Sequence, residues 1–313
     1  MIMAENSKKS EYIVINPQIL NFKGNTINFD KLPLVSFCIP TKNNEDTLEK
    51  CLKSIKEQNY PSIEIIIIDG YSKDNTIEIA KKFTNKIVYD AGTYGSACQT
   101  GIDNSIGEII ALFDSDIIIP HREWLINAIQ YFNYDNLVSS VWPLYIAPPN
   151  SPKVEYLYQT KLYWLLMNDR IQNNRSVFGG GNTLFLKKCL IEIGGINRSI
   201  HWGADFDWAM KLKDRGYKVV FIDDPLYHDT MRTLKQFYKK QFVGAKTFTQ
   251  SGFGLMGLSK REVIYENFIL GIKGMIYGLI IERDTAWFYY PVFLFIRILA
   301  YSIIFIKSVF HRN

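Results

Sequence analysis

The chain has 313 residues, a net charge of +5 and 47% hydrophobic residues, enough for one large α/β domain with an appendage and a sizeable core. Its four cysteines, Cys38, Cys51, Cys98 and Cys189, are scattered with no C-x-x-C, which excludes a disulfide or zinc framework and suits reduced core residues. The mild positive balance suits an anionic ligand or an anionic membrane surface, and equally suits ordinary surface lysines.

Met1 to Ser10 is polar and lacks the apolar core of a signal peptide, and residues 1–33 read as an N-terminal extension. Val35-Ser36-Phe37-Cys38-Ile39 reads as the first sheet strand and closes on Pro40-Thr41-Lys42-Asn43. A helix follows, with Leu48, Cys51, Leu52 and Ile55 at i, i+3, i+4 and i+7. The run Ile63 to Ile68 is too β-branched and too short for a helix, and reads as a parallel strand buried on both faces. It ends in Asp69-Gly70-Tyr71-Ser72-Lys73-Asp74-Asn75-Thr76, where Asp74 is the expected N-cap of a helix from Thr76 to Phe83. Strand and helix alternate with short loops, which predicts a right-handed βαβ series. Ligands of such sheets sit beyond the carboxyl ends of the strands.

The next strand, Ile109 to Phe113, ends in Asp114-Ser115-Asp116. Side chains two apart on an extended chain point the same way, so both carboxylates can converge on one ligand. Hard oxygen donors of this kind suit Mg2+ or Mn2+ with positions left for phosphate oxygens. A solvated acidic turn has the same local sequence.

Taken together, Ser36 to Asn43, Ile68 to Thr76 and Asp114-Ser115-Asp116 resemble a family-2 glycosyltransferase with the GT-A fold, over roughly residues 34 to 245. The resemblance implies an α/β catalytic domain at 34–260 with a mostly parallel central sheet flanked by helices. It implies an inverting transfer of one sugar from a nucleotide-diphosphate sugar, UDP-linked in the first instance, to a hydroxyl acceptor, with a divalent metal as cofactor and no nucleic acid as partner. Asp69, with Pro40, Thr41, Asn43 and Ser72, would hold the nucleotide. Asp114 would meet the ribose or the metal, and Asp116 the metal.

Further along, Trp124, Leu125, Ala128, Ile129 and Phe132 mark a helix over the sheet, and Leu137 to Tyr145 a strand. Leu157, Tyr158, Lys161, Leu162, Leu165 and Leu166 recur at helical spacing and read as core packing. Phe178-Gly179-Gly180-Gly181-Asn182 allows a close backbone approach. The resemblance puts Gly180, Gly181 and Asn182 beside donor and acceptor. In His201-Trp202-Gly203-Ala204-Asp205-Phe206-Asp207-Trp208 the family's usual Glu-Asp is replaced by Ala204-Asp205. Asp205 is then the implied general base, with Asp207 as the other candidate and a substrate contact. The strand Tyr217 to Ile222 leads to Asp223-Asp224-Pro225-Leu226-Tyr227-His228, and family members often place a metal-binding histidine there, which implies His228 as a ligand.

The tail, 261–313, is a second segment. Phe268 to Ile281 and Phe288 to Phe310 are strongly apolar, broken by Glu282-Arg283-Asp284-Thr285. A span needs about 20 apolar residues, and only the second run has that length, with Arg297 inside it. The expectation is a pair of membrane-associated helices on the cytoplasmic face, set to meet a lipid-linked or membrane-proximal glycan. A span, a soluble helical subdomain and a homo-oligomer interface stay open. A nucleotidyltransferase would carry a glycine-rich loop after the first strand, and Pro40-Thr41-Lys42-Asn43-Asn44 has no glycine. A non-catalytic scaffold of the same fold would have lost its acidic residues, and a processive synthase would show Gln-x-x-Arg-Trp. A polyprenyl-phosphate sugar synthase remains an alternative within the class.

Overall fold

The computed structural model describes residues 12–15, 32–133, 136–173, 181–201, 203–251 and 260–310. The chain divides into two compact units, each made of two stretches: Met1–Leu144 with Phe178–Tyr227, and Tyr145–Val177 with His228–Asn313.

The first unit is an α/β body on a mixed sheet. Its strands, apart from the last residues of β7 and β9, are β1 (Tyr12–Ile15), β2 (Val35–Thr41), β3 (Ile63–Asp69), β4 (Ile87–Tyr89), β5 (Ile109–Leu112), β6 (Ile117–Ile118), β7 (Val138–Ile146), β8 (Thr183–Leu186) and β9 (Lys218–His228). They lie in the order β1-β9-β7-β8-β5-β2-β3-β4, with β6 on β9. The half built from β4, β3, β2 and β5 is parallel, as the βαβ pattern predicts. β8 then runs antiparallel between β5 and β7. β1 joins the sheet edge as a parallel partner of β9.

Apolar side chains explain why these strands are central. Val35, Phe37, Cys38, Ile39, Ile66, Ile67 and Ile68 are all fully buried, because helices cover both faces of the parallel half. On one face Phe37 meets Phe113 edge-on at 5.1 Å, and Phe113 meets Trp124 at 6.0 Å. Leu48, Leu52 and Ile55 of the helix Leu48–Lys56 are equally buried. On the other face Cys38, Ile66, Ile68, Ile110 and Leu112 pack with Cys98 and Ile102 of the helix Tyr94–Asn104 and with Trp208 of the helix Ala204–Asp214.

Helix and sheet approach closely at Gly101. A Cβ there would stand 2.8 Å from Cys38 Cβ and 2.9 Å from Ile68 Cδ1. Gly101→Ala gains helix propensity of under ~1 kcal/mol but forces the helix off the sheet, and overpacking of that kind costs about 1–3 kcal/mol. The expected result is a lower urea midpoint at unchanged m-value. A midpoint equal to or above the wild type would show that the helix is not seated as described.

Two local expectations are corrected. The helix after β3 is Thr76–Lys81 with Asn75 at the N-cap, not Asp74. Asp74 still serves the helix start from one residue further out, accepting from Thr76 N at 3.1 Å and Thr76 Oγ1 at 2.5 Å. The strand expected to stop at Ile222 runs on to His228: its pairing with β1 ends at Ile222, but β9 also has β6 and β7 as partners in the sheet.

The second unit is helical. Its elements are Lys153–Glu155, Tyr156–Leu162 and Tyr163–Gln172 in succession, then Leu234–Ser251, Lys260–Ile264, Tyr265–Ile269, Leu270–Ile280, Thr285–Tyr289 and Tyr290–Phe310. Val154, Leu157, Met231, Phe237, Trp287, Tyr290 and Phe293 form its core. Glu155, 1% exposed, accepts from the backbone amides of Thr230 at 2.8 Å and Met231 at 3.1 Å, which offset the cost of burying its oxygens. Arg170 and Glu266 form a buried two-pronged pair with contacts of 2.9 and 2.5 Å.

Candidate active site

The carboxyl ends of β2, β3 and β5 lie side by side, since Thr41 pairs with Asp69 and Cys38 with Leu112. The loops beyond β2 and β3 are stitched together there. Gly70 N donates to Thr41 O at 2.9 Å, Asn43 N to Ser72 Oγ at 2.9 Å, and Lys73 N to Asn43 Oδ1 at 2.8 Å. Asp69 is fully buried and accepts from Ser72 N at 2.8 Å and Ser72 Oγ at 2.5 Å. The side chains of Asn43 and Ser72 therefore shape these loops, and Asp69 is the carboxylate they hold. Pro40 stands on β2 opposite Ile68, and Thr41 Oγ1 donates to Asn44 Oδ1 at 3.1 Å.

Asp114 is held more tightly still. Antiparallel pairing of β5 with β8 sets Leu112 opposite Thr183, and carried one and two residues further it brings Asn182 to Phe113 and Gly181 to Asp114. Asn182, 1% exposed, clamps Asp114 from both sides: its Oδ1 accepts from Asp114 N at 2.6 Å and its Nδ2 donates to Asp114 Oδ2 at 3.0 Å. Gly181 permits this approach, because a Cβ there would lie 3.0 Å from Asp114 Oδ2 and 3.2 Å from the Tyr94 hydroxyl. Gly180 lies outside the described residues.

Tyr94 is a site residue that sequence reading missed. Its hydroxyl donates to Asp114 Oδ1 at 2.9 Å. Burial, reinforced by the charge of Asp114 and, more weakly, Asp205, pushes its pKa well above the ordinary phenol value, so it remains a donor. Thr93 at the N-cap of its helix accepts from Ser96 N at 3.0 Å, which local sequence could have shown. That the hydroxyl reaches Asp114, twenty residues on, could not be read locally.

Asp205 lies in the first turn of the helix Ala204–Asp214, and its charge adds weakly to the upward push on the Tyr94 phenol. The loop before this helix is tied to the start of the Tyr94 helix, with Thr93 Oγ1 donating to Arg198 O at 2.5 Å and Gly95 N to Ile200 O at 2.9 Å. Asp207, two residues on, is engaged by Lys211 at 2.6 Å. Ala204 is fully buried among Trp208, Ala209 and the Tyr94 helix, which leaves no room for the glutamate usual at this position.

Asp116 and Asp114 stand over the buried Cys51 thiol, which burial and then their charges push far up in pKa. Asp114, Asp116 and His228 each offer one ligand atom, and these atoms lie within 4.8 Å of one another. His228 is the last residue of β9, and Asp114 and Asp116 lie on the connection between β5 and β6. Two carboxylate oxygens and one imidazole nitrogen form a donor set that fits Mg2+ or Mn2+.

An open sheet with a carboxylate pair at its strand ends defines an α/β enzyme of the nucleotide-binding kind. Residues 36–194 match Glycosyl transferase family 2, and the chain belongs to that family. Glycosyltransferase AglE of Haloferax volcanii is 30% identical over 224 residues, covering 67% of this chain and 71% of that protein. An uncharacterized glycosyltransferase of Rickettsia typhi is 28% identical over 194 residues and is spanned over 58% of its own length. Among solved structures, mannosyltransferase PcManGT from Pyrobaculum calidifontis, in complex with GDP-Man and Mn2+, superposes with a TM-score of 0.61 at 15% identity over 88% of both chains. Glucosyl-3-phosphoglycerate synthase of Mycobacterium tuberculosis, with Mg2+ and UDP, gives 0.52 at 16% identity over 73% of this chain and 81% of that one. The fold is therefore GT-A-like and the protein is a nucleotide-sugar-dependent glycosyltransferase. The nucleotidyltransferase and scaffold readings are set aside.

Proposed function

We propose that this glycosyltransferase is inverting and cation-dependent, and moves one sugar from a nucleotide-diphosphate sugar to a hydroxyl of a lipid-linked or membrane-proximal glycan at the cytoplasmic face of a membrane. The observation that carries the reading is the gathering of Asp114, Asp116 and His228 within 4.8 Å, with Tyr94 holding Asp114 and Asp205 in the first turn of the helix Ala204–Asp214. Asp116 and His228 would hold the cation, with Asp114 fixed beside them by Tyr94 and Asn182. A bound cation there supplies positive charge against the negative charge of the departing diphosphate. Asp205 takes the proton of the acceptor hydroxyl as its oxygen attacks the anomeric carbon, in one displacement that inverts the centre. Asp69, with the Pro40-Thr41 backbone, receives the nucleoside, and Gly181 and Asn182 line the sugar side.

The donor is a UDP-sugar in the first instance, and PcManGT with its GDP-Man keeps guanosine in view. A screen of UDP-glucose, UDP-N-acetylglucosamine and GDP-mannose by thermal unfolding decides. A ligand at 100 times its Kd stabilises by about 2.7 kcal/mol, which shifts Tm by roughly 5–10 °C for a unit of this size. The expected result is a shift for one nucleotide class that needs Mn2+ or Mg2+ and disappears with chelator. A shift that ignores the cation would remove the metal from the mechanism.

A further inference from the structure

The helix Thr285–Lys307 is long and apolar enough to cross a membrane by length and composition alone. What its faces meet in the second unit points elsewhere. Ala286, Trp287, Tyr290, Phe293 and Ala300 are buried, whereas Phe288, Val292, Phe295, Ile298, Leu299, Phe305 and Ile306 are exposed. Exposed and buried positions alternate at helical spacing, so one stripe is packed and the opposite one is bare. The shorter helix Leu270–Ile280 has a bare stripe of its own at Ile272, Ile276 and Ile280.

The packed stripe is seated on the helix Leu234–Ser251. Phe237 stacks on Phe293 at 4.0 Å, and Arg297 Nε donates to Gln241 Oε1 at 3.0 Å. Both pairs are 56 residues apart, so the two helices run alongside in the same direction, and Lys239 and Lys240 stand level with Phe295 and Ile296. Those positions are the middle of the candidate span. Lys235, Lys239 and Lys240 are exposed, with Lys240 also 5.5 Å from the Tyr158 ring. Crossing the bilayer would carry these lysines and Gln241 into the hydrocarbon, where such groups are excluded unless paired within a bundle or a cavity.

We infer that the two C-terminal helices form an in-plane anchor, with the bare stripes sunk in one leaflet and the lysines of the neighbouring helix at its headgroups. This rests on the membrane reading above and decides its topology. Apolar side chains on one face with cations beside them characterise helices that lie in the interface. The occupant is a lipid leaflet carrying anionic headgroups, because the exposed charge flanking the stripes is cationic: Lys235, Lys239, Lys240, Lys273 and Lys307. Glu282 and Asp284, the acids of the intervening turn, share Lys161 at 2.8 and 3.4 Å, and with Arg283 between them the turn carries no net negative charge.

The test uses the full chain in membrane vesicles of both orientations, with one cysteine introduced at Arg283 or at Lys307 and a membrane-impermeant maleimide as probe. The four native cysteines are buried, which keeps the background low. An in-plane anchor on the cytoplasmic side labels at both positions in inside-out vesicles and at neither in right-side-out ones. Labelling of the two positions from opposite sides would establish a span and overturn the inference. A second arm floats purified full chain with phosphatidylcholine vesicles, with and without phosphatidylglycerol. Anionic lipid should raise the bound fraction, salt should lower it, and the pair Phe295→Glu and Phe305→Glu should reduce it about tenfold at unchanged Tm. Absence of flotation under every condition would sink the membrane reading itself. A lipid-free dimer broken by the same two substitutions would make a second copy the occupant instead.

Discussion

Replacing Asp205 by Asn should lower turnover by about 10²–10⁴ while nucleotide-sugar affinity stays within roughly twofold, since general-base assistance is worth that much and no more. The isosteric amide keeps the first turn of the helix Ala204–Asp214 and removes only the basicity. Asp205 is proposed for this role because it stands where the family places its base, whereas Asp207 is engaged by Lys211 at 2.6 Å. Asp207→Asn loses a partly exposed ion pair, worth well under ~1 kcal/mol, and should leave most of the activity. Single-turnover rates and donor affinity measured on both variants separate the two carboxylates. A larger kcat loss in Asp207→Asn, with Asp205→Asn nearly silent, would shift the base by two residues.

Asp116→Ala should abolish the cation dependence of nucleoside-diphosphate binding. Isothermal titration with UDP or GDP, with Mn2+ and then with chelator, reads this without needing an acceptor. The wild type should lose affinity by at least about tenfold on chelation, and the variant should bind weakly in both conditions. Asp116 is the better probe of the pair. Asp114→Ala would also strand the buried Tyr94 hydroxyl and the Asn182 amide, at about 1–3 kcal/mol for each group left unsatisfied. Its effect would mix cation loss with a loosened site. Diphosphate affinity that is the same in wild type and Asp116→Ala, with and without chelator, would take the cation off this carboxylate.

Both outcomes bear on how much of the site was legible in advance. The strand ends were, because Ile63 to Ile68 and Ile109 to Phe113 are too apolar and too short for anything but buried strands. The residues that terminate them are then the residues at the ligand end of the sheet. Asp114 and Asp116 were expected to share a direction by the two-residue repeat, but β5 ends at Leu112 and the chain turns through Ser115 and Asp116, with Ile117 N donating to Asp114 O at 3.4 Å. The competition for Asp207 is a local i, i+4 pairing with Lys211. Asn182 was expected near the substrate only through family resemblance, and the structure gives it a definite task as the clamp on Asp114. Tyr94 was absent from the expectation altogether.

Local sequence thus determined the strands β2, β3, β5, β7 and the first half of β9, and that two carboxylates follow one of them, whereas the short strands β1, β4, β6 and β8 were not read from it. Those properties depend on side-chain periodicity and backbone preference within a few residues, and both are printed in the order of the chain. Tertiary structure alone decided that β8 returns antiparallel beside β5, which puts Asn182 against a carboxylate 68 positions earlier. It also decided that Arg297 turns inward to Gln241, leaving the opposite face of its helix bare. Such pairings follow from strand register and from which helix face finds a partner, and neither is encoded at short range.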